Sequence, residues 1–183
     1  MILPIAVYGH SILREETVEV KAGDKDIEQL IKDMWATMYR CDGIGLAAPQ
    51  IGEAIRLFVI DADVLKDQYP ELKGFKKVFI NAQVEFLKSK TCRFSEGCLS
   101  VPGIHEKVTR PQRIRIYYYD ENFNHHTEEY DGMIARIIQH EYDHVEGKLF
   151  VDYLNPLKKL LIAKRLKRIS NQSVPIPYKT LAL

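Results

Sequence analysis

Met133-Ile-Ala-Arg-Ile-Ile-Gln-His-Glu-Tyr-Asp-His-Val-Glu-Gly147 reads as a helix over residues 133–146, with Gly147 where a left-handed C-terminal stop belongs. His140 and His144 are four residues apart, so both imidazoles leave the same helix face, about 40° from each other. That spacing lets two neutral histidines hold one metal ion, with Glu141 beside them to handle a water proton. The alternative is two partly exposed histidines on an amphipathic surface helix. Two histidines rarely complete a catalytic site, which usually has three protein ligands and one open position. A zinc-protease pattern would place a third histidine at position 150, which is Phe150, or a downstream glutamate, and none follows Glu146. A third ligand must then come from upstream, or the pair holds no metal.

Working outward, residues 24–40 show helical spacing of Ile27, Leu30, Ile31, Met34, Trp35 and Met38, with Asp24 as the expected cap. Strand-like runs occupy 55–61, 77–81 and 83–88, and 62–76 reads as a polar surface excursion. Residues 113–119 and 125–130 flank Asp120-Glu-Asn-Phe-Asn124 as a hairpin, and a last helix runs from about Pro156 to about Ile169. Strands grouped between helices, without βαβ alternation, predict an α+β fold with a mostly antiparallel sheet. The sheet is expected to pack around the central metal-binding helix, with a C-terminal helix beyond it.

The length of 183 residues fits one domain, 1–183. No secretory signal and no membrane span are expected, which points to a reducing cytoplasm. The cysteines Cys41, Cys92 and Cys98 are odd in number and lack CxxC spacing, so no disulfide framework is implied. A net charge of +1 argues against a dedicated DNA binder. The average conceals a gradient. Residues 153–183 hold 7 basic and no acidic side chains (+7), leaving 19 basic and 25 acidic (−6) in the rest. The basic residues of the last helix interleave with leucines, which suits packing on the body or on a partner.

Glu96-Gly-Cys98-Leu-Ser100 offers the upstream ligand, because a thiolate binds Zn or Fe(II) strongly and Gly97 permits a tight backbone path. A small buried cysteine is the competing reading, and it is the one assigned to Cys41 and Cys92. Gly43-Ile-Gly-Leu-Ala-Ala-Pro-Gln50 would let a substrate backbone approach closely, with the Gln50 amide as a donor toward a developing oxyanion. It fits no Walker or dinucleotide pattern.

The three segments Gly43–Gln50, Glu96–Ser100 and Gln139–His144, in this order, resemble the motifs of the peptide deformylase family. The resemblance implies that Cys98, His140 and His144 hold one divalent metal ion, Fe(II) first and Zn(II), Ni(II) or Co(II) as alternatives, with water in the fourth position. It implies that this water attacks the formyl carbon of an N-formylmethionyl nascent chain, releasing formate. Glu141 would serve as general acid and base; Gln50, the Leu99 backbone N–H and the metal would meet the oxyanion. The methionine pocket maps onto Gly43, Gly45, Phe94, Met133 and Ile137, and Gln139 would orient groups around the site. Where many members carry an arginine seven residues after the ligand cysteine, this chain has His105, with Arg110 nearby but off-register. A comparable C-terminal helix is associated in the family with docking at the ribosome. The rival readings are another His-Glu-x-x-His hydrolase or peptidase, and a structural-metal or RNA-binding module.

Overall fold

The computed structural model describes residues 1–24 and 26–182. The strand that organises the molecule is β2 (Leu57–Asp61), which is buried on both faces. Side chains alternate across a strand, and here the alternation divides the core in two. Phe58 and Ile60 point into one cluster, and Leu57 and Val59 into another. The second cluster is closed by α1 (Ile27–Arg40), which contributes Ile27, Ile31, Met34 and Met38 at helical spacing. The first is closed by α2 (Gly132–Val145), which contributes Ala135, Ile138 and Val145. Truncating a fully buried member such as Met34 to alanine costs on the order of 2–5 kcal/mol.

Around β2 the antiparallel sheet has the order β1-β2-β3-β6-β7, with β1 at Gly45–Ala47, β3 at Lys76–Phe86, β6 at Arg113–Tyr119 and β7 at His125–Asp131. Strands β4 (Thr91–Cys98) and β5 (Val101–Pro111) make a separate antiparallel ribbon closed by a two-residue turn at Leu99–Ser100. Helix α3 (Pro156–Ser170) starts at an Asn155 cap that accepts the Lys158 N–H at 2.9 Å. It lays Leu166 and Ile169 against Val101, Ile104 and Val108 of β5. The chain then folds back, and Ile5 exchanges backbone hydrogen bonds with Lys179 and Leu181, both at 2.9 Å.

The α+β class, the mostly antiparallel pairing, the 113–130 hairpin and the C-terminal helix agree with the sequence reading. Four details differ. Asp24 does not cap α1: its side chain accepts the Asp26 N–H at 3.3 Å in a turn that precedes the helix. The runs 77–81 and 83–88 are one strand, interrupted between Ile80 and Gln83. There Asn81 adopts φ +52° and exchanges hydrogen bonds with both backbone groups of Val20, at 2.8 and 2.9 Å. The excursion 62–76 is anchored by two short 3-10 turns and a fully buried Leu72. The ribbon β4–β5 is absent from the sequence reading altogether. Among the described residues, no helix is long and apolar enough to cross a membrane.

Candidate active site

Helix α2 lies between the five-stranded sheet and the ribbon, and the face turned away from the sheet is polar. The Cys98 Sγ and one ring nitrogen each of His140 and His144 lie within 4.8 Å of one another, and no other group of this kind occurs among the described residues. Cys98 Sγ is 3.3 Å from His144 Nε2. Cys98 reaches this point because it ends β4, where the register shifts between Glu96 and Cys98. A Cβ on Gly97 would meet the His105 ring at 2.6 Å, so a side chain there would push the ring aside.

The histidines are held from behind. Glu96 Oε2 accepts from His140 Nδ1 at 2.8 Å, which turns the other ring nitrogen toward Cys98. Glu96 is itself gripped by Arg110 at 2.7 and 2.9 Å and by Arg136 at 2.6 Å, and Arg110 also binds Asp143 at 2.6 Å. Tyr153 donates to the second Asp143 oxygen at 2.8 Å. Two arginines against two carboxylates make a buried, charge-balanced network. Burial opposes ionisation of Glu96, but Arg110 and His140 outweigh it and hold the carboxyl far below its usual range. Burial, with His140 and Arg110 facing it, keeps His144 well below the ordinary imidazole value and so neutral, the form that ligates a metal.

Glu141 follows His140 on the same turn. It is 4% exposed, its Oε2 has no hydrogen-bond partner among the described residues, and burial raises its pKa to about 7. Its other oxygen lies where a Gly45 Cβ would come within 2.3 Å, so the lack of a side chain at position 45 makes room for the carboxylate. Opposite, the Gln50 amide is fixed at both ends: Oε1 accepts the Ala47 N–H at 2.8 Å, and Nε2 donates to Ser100 Oγ at 3.2 Å and Cys98 Sγ at 3.5 Å. The Leu99 carbonyl accepts from Tyr178 Oη, tying the ribbon's turn to the C-terminal segment. These groups open onto a cleft of about 1120 Å³. A soft thiolate and two imidazoles form a donor set suited to Fe(II), Zn(II) and related ions, with an unpartnered carboxylate beside it.

The polypeptide deformylase family model matches residues 2–160. This chain belongs to that family. It is similar to the peptide deformylase of Flavobacterium psychrophilum, 50% identical over 176 residues, 92% of this chain and 91% of the relative. The peptide deformylase of Christiangramia forsetii is 45% identical, covering 98% and 95% of the two chains. Among solved structures, the Thermus thermophilus peptide deformylase superposes with a TM-score of 0.82 at 36% identity, over 94% of this chain and 99% of that one. The Synechococcus elongatus peptide deformylase, solved with actinonin, gives 0.80 at 37% identity, over 94% and 90%. The chain is thus an enzyme of a metal-dependent family, and Cys98, His140 and His144 are the residues whose ligand atoms converge in it.

Of the residues the family resemblance singles out, Gly43, Gly45, Gln50, Cys98, Leu99, Met133, Ile137, His140 and Glu141 line the cleft, and His144 is buried behind it. Phe94 does not line it; its ring lies under the Arg136 guanidinium, 5.4 Å away. Gln139 donates to the Pro111 and Ala135 carbonyls, both at 3.0 Å, bracing α2 against the ribbon. Arg110 is 4% exposed and committed to Glu96 and Asp143, so it does not replace the family arginine as a substrate contact. His105 is exposed, lines the cleft and stays outside the metal group. Cys41 and Cys92 are half-buried, not fully buried, and Cys92 accepts from Arg136 at 3.2 Å. The Glu96–Arg110–Asp143–Arg136 network and Tyr178 were not read from the sequence; the only signal was an Arg at i−4 from His140 and an Asp at i+3 on the helix.

Proposed function

We propose that this enzyme removes the formyl group from the N-terminal formylmethionine of nascent polypeptides, releasing formate. The observation that supports the reading best is the convergence of Cys98, His140 and His144 to within 4.8 Å beside the buried, unpartnered Glu141 carboxylate. Cys98 Sγ and the two imidazoles would hold one divalent ion, Fe(II) first, with Zn(II), Ni(II) or Co(II) as alternatives. When bound, such an ion supplies Lewis acidity that activates water and polarises the formyl carbonyl. Glu141, poised near neutrality, accepts the water proton at Oε2 and returns it to the departing amine nitrogen. Gln50 Nε2 and the Leu99 N–H face the developing oxyanion; one such donor contributes about 2.7–4 kcal/mol in the transition state. Met133 and Ile137, with Gly43 and Gly45 opposite, take the methionine side chain, and Phe94 supports that wall through Arg136.

The activity is assigned to a cytoplasmic protein whose whole chain, 1–183, acts as one catalytic domain, because the C-terminal segment completes the cleft. Ribosome docking is assigned to the outward face of α3, where Leu157 and Leu160 are exposed beside Lys159. The test is to incubate anaerobically purified protein with formyl-Met-Ala-Ser and with Met-Ala-Ser. Formate and intact Met-Ala-Ser are expected from the first and no change in the second. Cleavage of a backbone peptide bond in either would overturn the reading.

A further inference from the structure

The cleft does not end at the proposed methionine pocket. Its far wall is formed by α3 and the C-terminal segment that returns from it, including Val174, Pro175 and Tyr178. Helix geometry explains which side chains face inward. Leu166 and Ile169 are buried against β5, and this fixes the rotation of α3. Leu161, Lys164, Arg165 and Arg168, at i, i+3, i+4 and i+7, then form one stripe, and all four line the cleft. Arg165 reaches across to the ribbon so closely that a Cβ on Gly103 would meet its Nη2 at 2.5 Å.

Lys158, one turn earlier, is paired with Glu106. By contrast Lys164, Arg165 and Arg168 have no ion pair among the described residues, although they are exposed on the same helix. The acidic groups of the cleft lie elsewhere: Asp42 beside Gly43, and Glu96 and Glu141 on the floor, with Glu96 already held by two arginines. The cleft is therefore polarised, with a catalytic floor and an unneutralised cationic wall.

We infer that this wall is a specificity site, recognising a carboxylate side chain a few residues after the substrate's first residue. The inference rests on the proposed deformylation, since it deepens the reading of the same cleft. A polypeptide seated with its formyl end at Cys98 and Glu141 must leave along the cleft, and an aspartate or glutamate on the way meets two guanidiniums and an ammonium. Arginine pairs with carboxylates through two parallel hydrogen bonds, so the wall favours acidic over neutral partners and repels basic ones.

The experiment measures kcat/KM for formate release from C-terminally amidated formyl-Met peptides carrying a single Asp, Ala or Lys, moved through positions two to five. Assays at about 0.1 M salt keep the Debye length near 10 Å. At one position at least, Asp is expected to exceed Ala by about 1.4-fold to fivefold, and Lys to fall below Ala, the range that exposed ion pairs supply. The Asp preference should shrink with added salt, drop in Arg168→Gln, and vanish when Lys164, Arg165 and Arg168 are all changed to Gln. It should persist in Lys167→Gln, which removes a charge from the next residue without touching the stripe. Thermal unfolding of each variant separates lost recognition from lost folding. Equal rates for Asp and Ala at every position, or a preference unchanged in the triple variant, would overturn the inference. If no formyl peptide released formate at all, the proposed deformylation would fail instead.

Discussion

Helices α2 and α3 are nearly equal in length, 14 and 15 residues, yet they use charge in opposite ways. On α2, Arg136 and Asp143 are almost fully buried, and each is matched to a partner across the ribbon at 2.6 Å. On α3 every cation but Lys158, which pairs with Glu106, is exposed, and Leu157, Leu160 and Leu161 are 66%, 72% and 74% exposed. A buried charge that is fully paired costs much to remove, because its partner is left uncompensated in a low dielectric. An exposed charge is screened and contributes little to folding. The first kind positions a site, and the second is free to read a ligand.

The contrast can be broken, starting from the largest effect. Glu141→Gln is expected to lower kcat for formate release by about 10²–10⁴, with the thermal midpoint and bound metal retained; loss of metal in that variant would mean the carboxylate positions the ligands instead of moving protons. Arg110→Met should cost about 3–5 kcal/mol of stability, seen in thermal unfolding as about 2–4 °C per kcal/mol for a chain of this size. A cost no greater than that of Lys167→Gln would erase the distinction between the two helices. Gln50→Ala should lower kcat by about 10²–10³ with little change in KM, and a loss confined to KM would remove Gln50 from the transition state. Cys98→Ser should lose metal, measured by elemental analysis, together with activity; full occupancy would remove Cys98 from the ligand set. Lys167→Gln, the smallest, should stay within about 0.5 kcal/mol in stability.

Much of this contrast was readable before the fold was known. Helix α2 announces itself by its paired histidines and by Gly147, which takes φ +66°, and α3 by Pro156, behind which the structure adds an Asn155 cap. The three motifs were legible because each is local in sequence. What was not legible is long-range. The ribbon β4–β5 escapes pattern reading because its inward positions are partly polar, Glu96 and Arg110 among them, so no apolar alternation marks it. Arg110 could be placed only as a basic residue off the family register, because its partners, Glu96 and Asp143, are brought to it only by pairing of the ribbon and docking of α2. The tail 171–182 has no periodicity at all; its place on the cleft follows from pairing with Ile5 and from Tyr178 on Leu99. The apolar residues of α3 were expected to pack on the body or on a partner; Leu166 and Ile169 pack on the body, and Leu157, Leu160 and Leu161 are exposed.

The central claim is that Cys98, His140 and His144 hold one ion on which deformylation depends. The direct measurement is formate release from formyl-Met-Ala-Ser by protein stripped with a chelator and reloaded stepwise with Fe(II) under anaerobic conditions. No formate is expected from the stripped protein, and activity should rise in proportion to metal until one ion per chain. Full activity in the metal-free protein would contradict it.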